Sequence, residues 1–136
     1  MSSRLAFALI AALIAGSVFA QPKPFVSWLI SPNAPTSAGV EVWPNGKSFI
    51  WRLVSSRGEI LAEMKQPAIP AGYTVNYGEC MVNGEIRQDV IAIVRHFERR
   101  EWSNDIRSLW FADANARAFI TGNSRQVKCR NEDYGI

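Results

Sequence analysis

Hydrophobic positions in this chain form one long block at the start and short, turn-bounded runs afterwards. Leu5 to Ala15 reads LAFALIAALIA without a polar break, with Arg4 before it and Val18-Phe19-Ala20 after it. A charged start, a short apolar run and small or aliphatic residues at the two positions a signal peptidase reads predict a cleaved secretory signal peptide over residues 1–20, with the mature chain starting at Gln21. The run is shorter than the ~20 residues of a spanning helix. From there the pattern changes to strand-length pieces. Phe25 to Ile30 is a short apolar run, and Ser31 to Gly39, with two prolines, reads as a loop. Val40 to Trp43 leads into Pro44-Asn45-Gly46, a hairpin signal because Asn and Gly both accept positive φ. Lys47 to Val54, KSFIWRLV, is rich in strand formers. After Ser55 to Gly58, the segment Glu59 to Met64 sets Ile60, Ala62 and Met64 against Glu59, Leu61 and Glu63. A second proline loop, Gln66 to Gly72, precedes Tyr73 to Val82, which places Tyr73, Val75, Tyr77 and Glu79 on one face.

Asn83-Gly84 repeats the hairpin signal and is followed by Asp89 to Phe97, DVIAIVRHF. Val90, Ile93, Val94 and Phe97 fit helical spacing, but the run is dense in β-branched residues, which are stiff in helices and pack well on a pleated sheet. The reading is a strand, paired through the Asn-Gly turn with the Cys80 strand; the alternative is an α+β fold with residues 87–101 helical. Arg107 to Ala112, Arg117 to Thr121 and Gln126 to Arg130 complete the series. About eight short strands predict a mainly β fold, a small antiparallel sandwich or barrel, in one domain over residues 21–136.

Composition narrows the function classes. Removing the first 20 residues from 136 leaves 116, enough for one modest core. That part holds fourteen Lys plus Arg against twelve Asp plus Glu, a net charge of +2 and too weak to argue for nucleic acid. No later segment reaches membrane-spanning length. No cysteine stands at the cleavage site to carry lipid. The two cysteines, Cys80 and Cys129, suit an oxidising compartment, periplasmic or secreted, and predict one disulfide tying the last strand to the strand after the second proline loop. It closes a loop of about 50 residues, worth ~4 kcal/mol in the chain-entropy picture.

Catalytic signatures are sparse. His96 is the single histidine, there is no G-x-S-x-G elbow and no phosphate-cradling glycine loop. Asp113-Ala114-Asn115-Ala116-Arg117 begins like a calcium loop, but Arg117 stands where an oxygen ligand is needed and no glycine follows. No metal and no cofactor is expected. Glu98 with Glu101, or Glu132 with Asp133, are the carboxylate pairs that a small cell-wall hydrolase would draw on. Of five tryptophans, Trp28, Trp51 and Trp110 lie inside apolar runs and read as core; Trp43 and Trp102 are the surface candidates. In size, leader and sheet-plus-disulfide style the chain resembles small periplasmic lysozyme inhibitors. It does not carry their Y-x-C-x-x-G pattern: Tyr77-Gly78-Glu79-Cys80 has one extra residue before the cysteine, and Gly84 comes too late.

The reading is therefore an exported, non-enzymatic binding protein of the bacterial envelope type, an inhibitor, immunity-type factor or adaptor that meets another exported protein; the alternative is the small hydrolase. The candidate contact is the tip Arg95 to Asn104, RHFERREWSN, with Arg95, Arg99, Arg100 and Trp102 as partner-binding residues, because arginine and tryptophan most often dominate interface energies.

Overall fold

The computed structural model describes residues 22–30, 37–95 and 99–131. The signal-peptide reading over residues 1–20, the start at Gln21, and His96, Phe97, Glu98, Glu132 and Asp133 all lie outside these residues. The described chain is all-β and antiparallel. Its strands are β1 (Val26–Leu29), β2 (Gly39–Asn45), β3 (Ser48–Val54), β4 (Ile60–Lys65), β5 (Tyr73–Tyr77), β6 (Cys80–Val82), β7 (Glu85–Arg87), β8 (Val90–Arg95), β9 (Trp102–Ser103), β10 (Ile106–Asp113), β11 (Ala118–Thr121) and β12 (Val127–Arg130). They form three four-stranded sheets, in the orders β1-β2-β3-β4, β11-β10-β8-β5 and β7-β6-β12-β9.

Strand alternation stacks these sheets as three layers. One core lies between the first and second sheets, with Val40, Val42, Trp51 and Leu53 meeting Ile91, Ile93, Trp110 and Ala112. A second core lies between the second and third sheets, where Val90, Ala92, Val94 and Leu109 meet Cys80, Val127 and Cys129. The second sheet is the middle layer, which accounts for the continuous apolar run of β8. Odd-numbered residues serve one core and even-numbered residues the other, so neither face is free to be polar. This overturns the helical alternative for 87–101 within the described residues: Glu85–Arg87, Val90–Arg95 and Trp102–Ser103 are strands. Burial on two faces leaves no amphipathic stripe for a helix to exploit.

Four local expectations change. Twelve strands replace about eight, because Gly78 breaks the 73–82 run at φ 75° and because β7 and β9 are short additional strands. β8 pairs with β5 and β10, not with the Cys80 strand; the Asn83-Gly84 turn spends itself on the small β6–β7 hairpin. At that turn both residues take positive φ, 50° and 82°, as a two-residue hairpin of the I′ kind requires. In the β2–β3 hairpin Asn45 pairs with Ser48, so the loop is Gly46-Lys47 and only Gly46 has positive φ. Finally, a register shift between Leu53 and Val54 resets the face of β4, leaving Ile60 exposed while Leu61, Ala62 and Met64 pack on the core.

Candidate functional site

The disulfide forms as expected. Cys80 and Cys129 are directly opposed on β6 and β12, with Cα atoms 4.0 Å apart and both residues fully buried. Because Gly78 divides the 73–82 segment, the bond ties β12 to β6 and not to β5. Asn76 supplies the link from the second sheet to the third: buried on β5, it donates from Nδ2 to Arg130 O (2.9 Å) and accepts from Glu79 N (3.0 Å).

With Cys80, Val82, Val127 and Cys129 turned to the middle layer, the alternate residues of the third sheet face outward. Lys128 stands opposite Met81, Met81 opposite Ile86, and Arg130 opposite Trp102. Ile86 is 67 % exposed, Met81 and Trp102 are half-buried, and Lys128 and Arg130 are exposed. The Lys128 ammonium lies 5.6 Å from the centre of the Trp102 ring, a cation held against an aromatic face. Lys128 and Arg130 thus form a cationic stripe along β12, flanked by Met81 and Ile86 on one side and Trp102 on the other, with Glu79 beyond the start of β6 opposite Arg130, on a sheet face with no layer over it among the described residues.

The predicted tip residues do not converge on one face. Trp102 belongs to this outer face. Arg95 ends β8, and its guanidinium lies over the Tyr73 ring (5.4 Å) and 3.8 Å from the Asp105 carboxylate, at the margin of the core between the first and second sheets. Arg99 and Arg100 are exposed in the connection that leads to β9. The tip is fixed from beneath by Ser103, buried, whose Oγ donates to Arg95 O (3.0 Å), and by Asn131 N donating to Glu101 O (2.7 Å).

The other tryptophans sort largely as their sequence context predicts. Trp51 and Trp110 are buried and meet edge to face at 5.2 Å. Trp28 is half-buried against the same core and donates to Gln88 O at 2.7 Å. Trp43 is engaged on the outer face of the first sheet, donating to Glu41 (3.0 Å) beneath Arg52, which itself bonds Glu63 at 2.6 Å. Neither candidate carboxylate pair can be placed whole, since Glu98, Glu132 and Asp133 are outside the described residues and Glu101 is an exposed residue of the tip. Among the described residues no group of three or more His, Cys, Asp and Glu is placed to hold a metal ion.

Sequence reasoning missed Lys128, Arg130, Met81 and Ile86. Their signal is the alternation V-K-C-R in β12, which marks the cations as outward once the cysteine is known to face in. No protein-family model, no curated protein and no solved structure matches the chain.

Proposed function

We propose that this is an exported, non-enzymatic binding protein that docks on an acidic surface of another exported or envelope protein through the outer face of its third sheet. The observation that carries the reading is the pairing of a half-buried Trp102 with Lys128 and Arg130, on a face that continues across Met81 to the exposed Ile86. Aromatic and arginine side chains at the centre of an apolar patch are the usual anchors of protein interfaces. Arg99 and Arg100, exposed in the connection that leads to β9, are the further cations this reading draws on. The disulfide behind this face holds β12 and β6 in one register, so a partner meets a preorganised surface.

The test uses the immobilised protein and an extract of the envelope. The wild type is expected to retain a defined acidic protein, and the double reversal Lys128→Glu, Arg130→Glu to lose it, while the remote reversals Lys47→Glu and Arg57→Glu leave capture intact. Equal capture by all of these variants refutes the face. The export half of the reading is checked by mass: protein recovered from the exporting compartment should begin at Gln21 and contain no free thiol.

A further inference from the structure

On the outer face of the third sheet, at the start of β12, a hollow of about 220 Å³ opens between Met81, Gly84, Asn104, Gln126, Val127 and Lys128. Sites for cofactors and whole small molecules run to ~300–1,000 Å³, so this one is the size of a single side chain. Strand register assembles it. Lys128 stands opposite Met81. Ser103 pairs with Cys129, so Asn104, the next residue after β9, comes alongside Lys128 from the other direction. Gly84 brings no side chain, and the place its Cβ would take has nothing within 4 Å. The end of the hollow is held by main-chain bonds: Gln126 O accepts from Asn83 N (3.1 Å), and Val127 N donates to Ser124 O (3.2 Å). Gln126 takes φ 57°, a left-handed conformation uncommon for a residue with a Cβ. Such conformations persist where neighbouring bonds enforce them, and they gather at ligand contacts.

The chemistry of the lining has one sign. Asn104 and Gln126 are exposed, and neither carboxamide bonds another residue among those described. Each offers two N–H donors. The Lys128 ammonium, exposed and 5.6 Å from the centre of the Trp102 ring, has no ion-pair partner among the described residues. No carboxylate lines the hollow: Glu79 stands opposite Arg130, one outward row away from Lys128 and Met81. Met81 adds an apolar wall. Donors and a cation beside a thioether wall suit a carboxylate on a short aliphatic stem, because a carboxylate only accepts.

We propose that this hollow seats a glutamate side chain of the acidic partner, with its stem against Met81 and its carboxylate accepting from Lys128 Nζ and from the carboxamide N–H groups of Asn104 and Gln126. The proposal rests on the third-sheet face being the docking surface, and it names the side chain which that face selects. Hydrogen bonds to an ionised group are the stronger kind, and several converging on one carboxylate fix the register of the partner.

Two measurements test it. In NMR titrations of the disulfide-bonded protein, N-acetyl-glutamate methylamide at millimolar concentration should shift the side-chain amide signals of Asn104 and Gln126 and the Met81 methyl signal, and the shifts should saturate. The glutamine analogue, of the same shape without the charge, should not do so at equal ionic strength, and Lys128→Met should remove the effect. In capture from an envelope extract, Asn104→Asp and Gln126→Glu keep the size of the side chain and place a carboxylate in the hollow. Each should weaken retention of the acidic partner by roughly 10-fold, the scale of losing one interface anchor. Asn45→Asp, the same change of charge in the first sheet, should not. All three positions are exposed, so melting temperatures should stay close to that of the wild type. Absence of the shifts, equal shifts with the glutamine analogue, or capture unaffected by Asn104→Asp and Gln126→Glu overturns the hollow; the docking face still stands in each case if the double reversal Lys128→Glu, Arg130→Glu loses capture. Capture kept by that double reversal overturns the face itself. Saturable shifts with no protein retained from the extract would make this a site for a free carboxylate and overturn its assignment to a partner's side chain.

Discussion

Gly78 shows how one residue decides a chain path. It takes φ 75°, and a Cβ there would meet Trp28 Nε1 at 2.6 Å and Gln88 O at 3.1 Å, the two atoms of the hydrogen bond that pins Trp28. Gly78→Ala therefore carries both a left-handed backbone penalty and a collision, and should destabilise the fold by ~2–4 kcal/mol. Gly84→Ala, at φ 82° with nothing within 4 Å, carries the first term alone, ~1 kcal/mol. Urea denaturation of the two variants separates the terms; equal losses would remove the packing argument. In the sequence Gly78 is a lone glycine inside an alternating run, a trace of a break that local pattern does not distinguish from a tolerated strand glycine. Trp51 was legible as core because it sits in an apolar run. The outward Lys128 and Arg130 were not, because their direction depends on a disulfide partner 49 residues away. Arg87 is a quieter case. Its double hydrogen bond to Asp89 raises the guanidinium pKa above its ordinary value, against a smaller opposing effect of burial. A raised folded-state pKa stabilises fully below the unfolded value and is lost only above it. Both lie beyond working pH, so the guanidinium adds no slope to stability between about pH 6 and 9.

At the level of elements, β8 was legible as a strand and its neighbours were not. Its β-branched density favours a strand, and its continuous apolarity means two buried faces, but periodicity alone does not separate that from a buried helix segment. Its partners β5 and β10 are chosen by the layers, whereas the nearby Asn83-Gly84 turn suggests a different mate. The same layering gives the disulfide a local role. The core between the first and second sheets contains neither cysteine, while the core beneath the third sheet contains both. The third sheet is also built from strands of two to four residues. The variant Cys80→Ala, Cys129→Ala should lose up to ~4 kcal/mol, the chain-entropy value for this loop. Native-state hydrogen exchange should show protection falling first in β6 and β12, with β2 and β3 retaining theirs. Uniform loss across all three sheets would mean that the layers unfold as one unit and that the bond is global.

Across the whole molecule, three stacked sheets leave few places where function can be written. The middle layer is buried on both faces; what remains is the outer faces, the open edges and the tips. The outer face of the first sheet is closed over by its own polar contacts, the ion pair of Arg52 with Glu63 and the hydrogen bond from Trp43 to Glu41, whereas on the outer face of the third Lys128 lies against Trp102 and Arg130 stands between Trp102 and Glu79. The sequence exposed the ingredients, arginines and a tryptophan near one turn. It could not show that Arg95 and Trp102 address different layers, because that depends on how strands distant in the chain stack. The net charge of residues 21–136 is small, so attraction to an acidic partner must come from this local arrangement. Capture through the third-sheet face is then expected to be salt-sensitive in its association rate. Raising ionic strength from ~0.05 M to ~0.5 M shortens the screening length several-fold and should slow association by roughly 10-fold, with a weaker effect on dissociation. Arg130→Glu should slow association at low salt and flatten the dependence, and Trp102→Ala should instead speed dissociation, costing ~1–3 kcal/mol of affinity with the salt slope unchanged. Surface plasmon resonance with the captured partner reads both rates. A salt-independent association rate, or a Trp102→Ala variant that dissociates like the wild type, would place the docking surface elsewhere on the molecule.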